Sequence, residues 1–513
     1  MPAWRLGATG IASHYGAGMR IPSLLFALVA VANQALPAQE PTSPKQPAPR
    51  PPNVVFVLAD DLGHGELGCY GQQRIRTPRL DQLAQEGTRF THHYAGSPVC
   101  APSRAVLLTG KHPGHAAIRD NQEVQPEGQS PLPAGEPSLA RTLRAAGYRS
   151  GAFGKWGLGP LGSSGAPAAV GFDRFFGYLC QRHAHSYYPA FLYDDERRLP
   201  LDNDPPVPGH GKLAVDANAD DPKAYAAFVG SDYAPARILE QALAFVRSHR
   251  DQPFFLYYPS PLPHLALQVP DADVQPYATA FAETAYRGEH GYTPHRTPRA
   301  AYVAMITRLD RDVGSLLDVL DELGLADDTI VVFTSDNGAT HSPVGGTDVD
   351  FFASCGPLRG RKGSLHEGGV RVPAIVRWPG RVPANRVSAR VTGFEDWLPT
   401  LAELCGAEAV AGDGVSFAAT LRGQEQAERP FLYREFAGYG GWQAVWKGRW
   451  KLVRRQLQAP EKATTELYDL VADAGETTDK AATNPEVVRE LLAIAAREHV
   501  PSTTFPLRAV DPR

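Results

Sequence analysis

The sequence predicts an α/β fold: a large mixed, mostly parallel sheet sandwiched by helices, with a small C-terminal α+β subdomain made of an antiparallel sheet and a helix. From Asn53 onward, continuous apolar runs of strand length alternate with segments of helical periodicity. Such alternation is typical of parallel sheets that helices cover on both faces. After about residue 425 the pattern changes to short strand-like runs, which indicates a second, smaller sheet.

The elements of the large domain follow a strand, loop, helix order. The first predicted strand is 54–58. A helix follows at 78–86, with Thr77 at its N-cap, Pro78 in its first turn and Gly87 after its end. The remaining predicted pairs are helix 139–146 with strand 150–153, helix 234–249 with strand 254–258, and helix 299–323 with strand 329–334.

The C-terminal subdomain is predicted to contain two short strands, 443–446 and 450–454, and a helix with Asn484 at its N-cap. One face of this helix is apolar, which predicts that it docks on a core. That face carries Val488, Leu491, Leu492 and Ala495. The predicted domain boundaries are therefore 53–425 for the large domain and 426–513 for the subdomain.

The N-terminal segment, residues 1–38, has the pattern of a secretory signal. Arg20 precedes an apolar run at 24–32, and small residues follow at 35–38. The run is too short for a transmembrane helix, and Met19 is an alternative start. Residues 39–52 are rich in proline and polar residues, which predicts a linker. We therefore expect an exported protein, periplasmic or secreted, without stable membrane insertion.

The charge of the chain argues against two classes of protein. The 513 residues carry a formal net charge of -4, with 43% hydrophobic and 21% charged residues. A nucleic-acid-binding protein carries a basic surplus, and a disordered chain combines low hydropathy with high net charge. We expect a small or carbohydrate-like partner and no nucleic acid; the oligomeric state is left open.

The chain has an odd number of cysteines. They are Cys69, Cys100, Cys180, Cys355 and Cys405. Their spacing matches neither a disulfide framework nor a zinc site, and in an oxidising compartment an odd number leaves at least one cysteine to be explained separately.

Acidic residues follow two of the predicted strands. The first strand runs into Asp60-Asp61, and the strand 329–334 runs into Asp336-Asn337. Ligands of parallel α/β sheets gather beyond the carboxyl ends of the strands. Three carboxylates with one amide suit calcium or magnesium better than zinc. The alternative is a helix cap or a tight turn, because Asp-Asn-Gly is also a strong turn sequence.

A short motif changes the balance between these alternatives. Cys100-Ala-Pro-Ser-Arg104 is followed by Leu108-Thr-Gly110. In every fixed position this stretch resembles the maturation signature of the type I, formylglycine-dependent sulfatases of the alkaline phosphatase superfamily. The resemblance extends from Asn53 over most of the chain, and the other matching segments are 53–63, 154–156, 263–264, 334–338, 360–363, 367–369 and 466–470.

The resemblance implies hydrolysis of sulfate monoesters to an alcohol and inorganic sulfate. A separate maturation enzyme would oxidise Cys100 to formylglycine, whose hydrate attacks sulfur and splits one difficult step into two. One calcium ion, rather than magnesium, would stabilise charge on the nucleophile and on the sulfate oxygens. The implied calcium ligands are Asp60, Asp61, Asp336, Asn337 and modified residue Cys100.

The resemblance also implies roles for further side chains. Arg104 would steady the hydrate, and Asp336 would take the proton of the nucleophile. Lys155 and Lys362 would bind sulfate oxygens as compact charges, and His264 would protonate the departing alcohol. Without the resemblance, lysines or a histidine on loops are usually solvated or capping groups.

The chain departs from the family pattern at one position. The usual Gly-Lys-Trp-His continues here with Gly157, so the histidine thought to assist sulfate expulsion is missing. We hypothesise that His185 or His183 supplies this imidazole and contacts the substrate; a purely structural role is the alternative. His341, shortly after Asp336-Asn337, is a further candidate for substrate contact.

Two other functions stay open at the sequence level. One is a phosphodiesterase or phosphonate monoester hydrolase on the same fold. The other is a non-catalytic, calcium-bound glycan-binding protein, the outcome if Cys100 stays unmodified. For a sulfatase, the substrate would be a sulfated saccharide or a small aryl sulfate. Four aromatic residues could stack on a sugar ring: Tyr187, Tyr188, Tyr439 and Trp442.

Overall fold

The computed structural model describes residues 50–408 and 410–511. The predicted signal segment and nearly all of the predicted linker lie outside the described residues. Within them, no helix combines the length and the apolar character needed to cross a membrane.

An eleven-stranded sheet forms the centre of the fold, with the order β10-β2-β9-β8-β1-β7-β3-β4-β5-β6 and β11 beside β2. The strands β8, β1, β7 and β3 at its centre, together with β4, are parallel, whereas β9 and the hairpin β5-β6 run antiparallel to their neighbours. The strands are β1 (Asn53–Ala59), β2 (Thr88–Tyr94), β3 (Arg149–Lys155), β4 (Arg174–Tyr178), β5 (Phe191–Asp194), β6 (Arg197–Pro200), β7 (Phe254–Pro259), β8 (Thr329–Ser335), β9 (Arg371–Arg377), β10 (Arg386–Ser388) and β11 (Thr392–Gly393).

Helices cover both faces of this sheet. The helices are α1 (Pro78–Gln85), α2 (Cys100–Thr109), α3 (Leu139–Ala145), α4 (Pro167–Val170), α5 (Ala234–Ser248), α6 (Asp271–Val274), α7 (Pro298–Glu322), α8 (Glu367–Val370), α9 (Trp397–Cys405), α10 (Ala418–Leu421) and α11 (Pro485–Glu498). Buried residues of α1, α5 and α7 join one hydrophobic cluster, and those of α2, α3 and α9 join another.

Strand β1 shows why the sheet is buried on both sides. Val55 and Val57 belong to the first cluster, while Val54, Phe56 and Leu58 belong to the second. Successive side chains of a strand point to opposite faces, so an uninterrupted apolar run is what a strand between two helical layers requires. All seven residues of β1 are buried.

A second sheet of four antiparallel strands lies near the C-terminus. Its strands are β12 (Leu432–Phe436), β13 (Trp442–Lys447), β14 (Trp450–Arg455) and β15 (Thr464–Asp469). Helix α11 packs on this sheet through Leu491 and Ala495, as the apolar face of the helix predicts.

A buried ion cluster, made of Lys451, Glu367 and Glu476, joins this sheet to the large one. The Lys451 ammonium lies 2.9 Å from Glu367 and 2.8 Å from Glu476, and all three side chains are fully buried. Glu367 begins α8, the turn that leads into β9. Buried charges are tolerated when they are paired, so this cluster ties the two sheets together.

The structure confirms the fold class. Each helix and strand that the sequence analysis places is present, with ends that differ from the expected ones by a few residues at most. Residues from Arg50 onward form one compact unit, so the boundary at 425 stays a prediction.

Candidate active site

Four neighbouring parallel strands deliver polar residues to one edge of the sheet. Strands β1 and β8 pair in register up to Ala59 and Ser335, so Asp60-Asp61 and Asp336-Asn337 leave the sheet side by side. On the other side of β1, β7 leads into the loop that carries His264, and β3 ends with Lys155. Sequentially distant side chains therefore meet because their strands are adjacent and point the same way.

Cys100 is the first residue of α2 and lies in the middle of this group. Its Sγ atom is 3.4 Å from Asp60 Oδ1 and 3.7 Å from the Nζ atoms of both Lys155 and Lys362. Lys362 comes from the loop after β8. Burial and the nearby Asp60 carboxylate raise the pKa of the Cys100 thiol well above its usual value, despite the two lysines. An unmodified thiol is therefore held neutral and is a poor nucleophile.

Three cations pair with the three carboxylates. Lys155 Nζ lies 2.6 Å from Asp60, Lys362 Nζ lies 2.8 Å from Asp61, and Arg104 Nη2 lies 2.8 Å from Asp336. These charges balance within the protein. A bound divalent cation would therefore give the site a net positive charge, which suits an anionic ester.

The donor set fits a hard cation. The carboxylates of Asp60, Asp61 and Asp336 and the amide of Asn337 are fully buried. Asn337 donates through Nδ2 to Asp61, 2.8 Å away, and its Oδ1 atom finds no donor within the described part of the chain. A buried carbonyl oxygen without a donor is costly, and calcium ligation would satisfy it. Asp61 has a φ of +64°, a strained conformation that often marks functional positions.

The carboxylates differ in proton affinity. Burial alone would raise the pKa of Asp60. The positive charges around it, above all that of Lys155, instead hold this pKa well below its ordinary value. Burial, together with the charge of Asp60, raises the pKa of Asp336 to about 6. Asp336 binds Arg104 and the Asp61 backbone N–H, while the hydrogen-bond partner of Cys100 is Asp60. Asp60 is therefore the carboxylate in contact with residue 100, whereas Asp336 is the carboxylate with the higher proton affinity.

His264 faces the metal-ligand candidates from the loop after β7. Its Nδ1 atom lies 2.5 Å from the Leu265 carbonyl oxygen, an acceptor, so Nδ1 carries the proton. Nε2 then points into the site, 3.6 Å from Asp61. Burial, reinforced by Lys155 and Lys362, lowers the pKa of His264 to about 4.

The structure separates the three remaining histidine candidates. His185 stacks on His264, with ring centroids 5.1 Å apart and planes inclined by 18°. Its Nδ1 atom lies 3.0 Å from His210 Nε2. His183 turns away from the site and lies 3.3 Å from Glu127. His341 lies at the outer side of the site; burial and the charge of Lys362 lower its pKa.

Gln181 is a residue that the sequence analysis missed. Gly157 has a φ of +85°, and a Cβ atom there would lie only 2.4 Å from Gln181 Nε2. The glutamine amide therefore occupies the space of a side chain at position 157, and its Nε2 is buried without an acceptor among the described residues. No sequence signal identifies this contact, because it depends on the path of the chain after β4.

A second group of possible metal ligands lies elsewhere, formed by His112, His115 and Asp413. His112 Nδ1 accepts a hydrogen bond from Gly114 N–H, and Nε2 lies 3.1 Å from Glu498. His112 Nε2 therefore carries its proton and has no free lone pair for a metal. This group is a hydrogen-bonded structural cluster. All five cysteines of the chain are unpaired, in keeping with a spacing that matches no disulfide framework.

Comparison with known proteins agrees with this geometry. The sulfatase family profile matches residues 52–407, and the C-terminal profile of N-sulphoglucosamine sulphohydrolase matches residues 361–493. Arylsulfatase A of Homo sapiens is 36% identical over 401 residues, which cover 75% of this chain and 70% of that protein. The N-acetylgalactosamine-6-O-sulfatase of Bacteroides thetaiotaomicron is 31% identical over 502 residues, covering 86% and 91%.

A solved structure shares the architecture. The crystal structure of Ps i-CgsB in complex with k-i-k-neocarrahexaose superimposes with a TM-score of 0.70 at 25% identity, covering 87% of this chain and 92% of that one. The profile match spans the sheet, the helix that begins at Cys100 and all four converging strand ends. The chain therefore belongs to the sulfatase family and is a sulfuric ester hydrolase.

Proposed function

We propose that the protein hydrolyses carbohydrate sulfate esters with a formylglycine hydrate made from Cys100, assisted by one calcium ion. The observation that carries this proposal is the position of Cys100 Sγ, within 3.7 Å of Asp60, Lys155 and Lys362 at the convergence of the strand ends. The raised pKa of the thiol argues against the unmodified cysteine as nucleophile.

The hydrate at residue 100 has two hydroxyl groups with separate tasks. One loses its proton and attacks sulfur, so an O–S bond forms while the bond from sulfur to the alcohol oxygen breaks. The second hydroxyl then loses its proton, the carbonyl re-forms, and the C–O bond to sulfate breaks. Water adds to the aldehyde and restores the hydrate. Asp336 is the proposed base for the first proton, because Arg104 holds its carboxylate next to Asp60, the residue that contacts Cys100.

Positive side chains hold the ester in place. Lys155 and Lys362 reach the same sulfur atom of Cys100 from two sides, so both would contact sulfate oxygens. Arg104 lies 3.2 Å from Asp60 and 2.8 Å from Asp336 and would keep both carboxylates oriented toward residue 100.

The residues proposed to hold calcium are Asp60, Asp61, Asp336, Asn337 and an oxygen of modified residue 100. When bound, the cation stabilises negative charge on the nucleophile and on the sulfuryl oxygens. The buried Asn337 Oδ1 atom without a donor supports this assignment.

His264 is the proposed acid for the departing alcohol. Its Nε2 atom points into the site, and its pKa of about 4 describes the protein without a bound ester. A sulfate anion beside the imidazole stabilises the protonated ring and raises this pKa. The Nε2 proton can then pass to the alcohol oxygen as the bond to sulfur breaks.

His185 is the proposed partner for the second proton transfer, because it stacks on His264 while His183 faces Glu127. We expect the His185→Ala variant to lose about 10²-fold or more in kcat, the usual weight of a proton-transfer residue. The His183→Ala variant is the matched control and keeps kcat. Equal kcat values for His185→Ala and wild type would exclude His185 from the proton transfer.

One relative supports the choice of a sugar substrate for the first assay. The N-acetylgalactosamine-6-O-sulfatase of Bacteroides thetaiotaomicron aligns over 91% of its length, so a 6-sulfated N-acetylhexosamine is the first probe. A maturation enzyme and export through the N-terminal segment complete the proposal.

Two measurements test the proposal. Mass spectrometry of the peptide Phe90–Arg104 from protein made in its native host should show the cysteine sulfur replaced by an aldehyde oxygen. An intact thiol there would support the glycan-binding alternative instead. Matched sulfate monoesters, phosphate diesters and phosphonate monoesters should then differ in rate, with the sulfate ester fastest; a faster phosphorus ester would favour the phosphodiesterase or phosphonate hydrolase.

A further inference from the structure

Tyr439 stands apart from the other aromatic residues near the site. Tyr187 and Tyr188 are fully buried, and Trp442 is 9% exposed with its indole N–H donating to the Tyr439 carbonyl. Tyr439 is 62% exposed, and it is the one large aromatic ring left mostly in solvent within the described residues. An exposed tyrosine has a ring face available for contact.

The position of Tyr439 relates it to the reaction centre. Two ring atoms lie 3.4 Å from where a Cβ atom of Gly363 would be. Gly363 follows Lys362, whose Nζ is 3.7 Å from Cys100 Sγ, and its N–H donates to Pro98, two residues before that cysteine. The ring therefore stands beside the lysine proposed to hold the sulfate.

The backbone of Tyr439 is held in an unfavourable conformation. Its φ is +50°, a region that costs a residue with a side chain on the order of 1 kcal/mol. The flanking Gly438, Gly440 and Gly441 would accommodate positive φ more easily, and two of them adopt it. The strain falls on a residue whose ring is mostly exposed, with the buried Phe436 ring as a neighbour at a centroid distance of 5.8 Å.

Two polar side chains lie near Tyr439, one beside its ring and one beside the preceding glycine. His341 lies with its ring centroid 5.8 Å from that of Tyr439, and its buried Nε2 has no hydrogen-bond partner in the part of the chain described. The Asp120 carboxylate lies against Gly438, 2.7 Å from the position of a Cβ atom there. Asp120 forms no salt bridge within the described residues, and burial raises its pKa to about 6. Asp120 Oδ1 accepts a hydrogen bond from the Asn121 backbone N–H, which leaves Oδ2 for a ligand. An exposed aromatic face with hydrogen-bonding groups nearby matches the amphipathic surface of a sugar ring.

We propose that Tyr439 is the platform on which the sugar ring bearing the sulfate ester stacks, with Asp120 accepting hydrogen bonds from its hydroxyl groups. The inference rests on the proposed function and adds the surface that recognises the organic part of the ester. The carboxylate also sets a preference: a free hydroxyl group is favoured beside Asp120, and a second sulfate there is repelled.

The Tyr439→Gly variant tests the platform without endangering the fold, because glycine adopts a φ of +50° without strain. Wild type and variant are assayed for sulfate release from a panel of monosulfated hexoses and N-acetylhexosamines. We expect kcat/KM for the best sugar ester to fall about tenfold in Tyr439→Gly. Tyr439→Phe, which keeps the ring, should stay within about twofold of wild type. The inhibition constant of inorganic sulfate should be unchanged in both variants, because sulfate alone does not reach the ring.

Each other outcome is decisive. Unchanged kcat/KM in Tyr439→Gly, or an equal loss in Tyr439→Phe, overturns the stacking platform. Weaker inhibition by inorganic sulfate in Tyr439→Gly shows damage to the reaction centre and also overturns it. Wild type that hydrolyses aryl sulfates but no sugar ester contradicts the sugar assignment, whereas wild type with no activity on any sulfate ester contradicts the proposed function itself.

A separate variant tests the role of the Asp120 carboxylate in sugar recognition. Asp120→Asn should lower kcat/KM about threefold or more for a monosulfated sugar with a free hydroxyl group next to the ester. The ratio of this kcat/KM to that for the same sugar with a second sulfate on that hydroxyl group should also fall. An unchanged ratio between the two sugars in Asp120→Asn would exclude the carboxylate from recognition.

Discussion

Replacing Gly157 by histidine puts a side chain where the glutamine amide already lies. Two costs add. A residue other than glycine at a φ of +85° costs roughly 1–2 kcal/mol, and a Cβ atom 2.4 Å from Gln181 Nε2 forces buried atoms to move, at about 1–3 kcal/mol. We expect Gly157→His to destabilise the protein by about 2–5 kcal/mol. For a chain of this size, about 1 kcal/mol corresponds to roughly 1 °C, so the melting temperature should fall about 2–5 °C.

Gly147 supplies a matched control for the backbone term. Its φ is +89°, and a Cβ atom there would meet no other atom within 4 Å, so Gly147→His carries only the conformational cost. In Gly157→His/Gln181→Ala the overlap is removed, and the two changes should couple favourably by about 1–3 kcal/mol. Scanning fluorimetry at one heating rate, with urea unfolding for the free energies, is applied to Gly157→His, Gly147→His, Gln181→Ala and the double variant. Equal losses for Gly157→His and Gly147→His, or strict additivity in the double variant, would refute the reasoning.

Three further predictions concern stability. Burial raises the pKa of Glu66 from 4.5 to about 7. The protonated carboxyl group therefore stabilises the fold fully below pH 4.5, and this stabilisation, up to about 3 kcal/mol, is lost as the pH rises through 7. In urea unfolding, the free energy of unfolding of Glu66→Gln should fall less between pH 5 and pH 8 than that of wild type. Lys451→Met leaves the carboxylates of the buried ion cluster without their ammonium and should cost about 3–5 kcal/mol, whereas Lys447→Met, in an exposed ion pair with Glu490, should cost under about 1 kcal/mol; equal urea midpoints would contradict this. Calcium at about 100 times its dissociation constant should raise the free energy of unfolding by about 2.7 kcal/mol, and the same titration of Asp336→Asn should show a much smaller rise.

The sequence reveals those parts of the site that follow directly from strands and from a contiguous motif. Asp60 and Asp336 could be placed together because parallel strands end at one edge of a sheet, and Cys100 could be identified from the residues that follow it. These predictions rest on local patterns, which the structure preserves. The roles of the individual residues stay proposals.

The surroundings of the site depend on loops whose paths no local pattern determines. His183 and His185 are two residues apart and equal candidates by sequence, yet a short turn of 3₁₀ helix directs one to Glu127 and the other to His264. Gln181 and Tyr439 reach the site through tertiary packing alone. Burial likewise decides which aromatic residues can meet a ligand, and it could not be read from residue type.

If Cys100 is matured as proposed, its burial determines when that modification can take place. Only 2% of its surface is accessible, and its sulfur lies 3.7 Å from the Nζ atoms of Lys155 and Lys362. A maturation enzyme could not reach this thiol once the strands around it have assembled. Modification and folding would then compete in time for each newly made chain. The active fraction of a preparation would be fixed by which of the two finishes first, and slower folding would raise it.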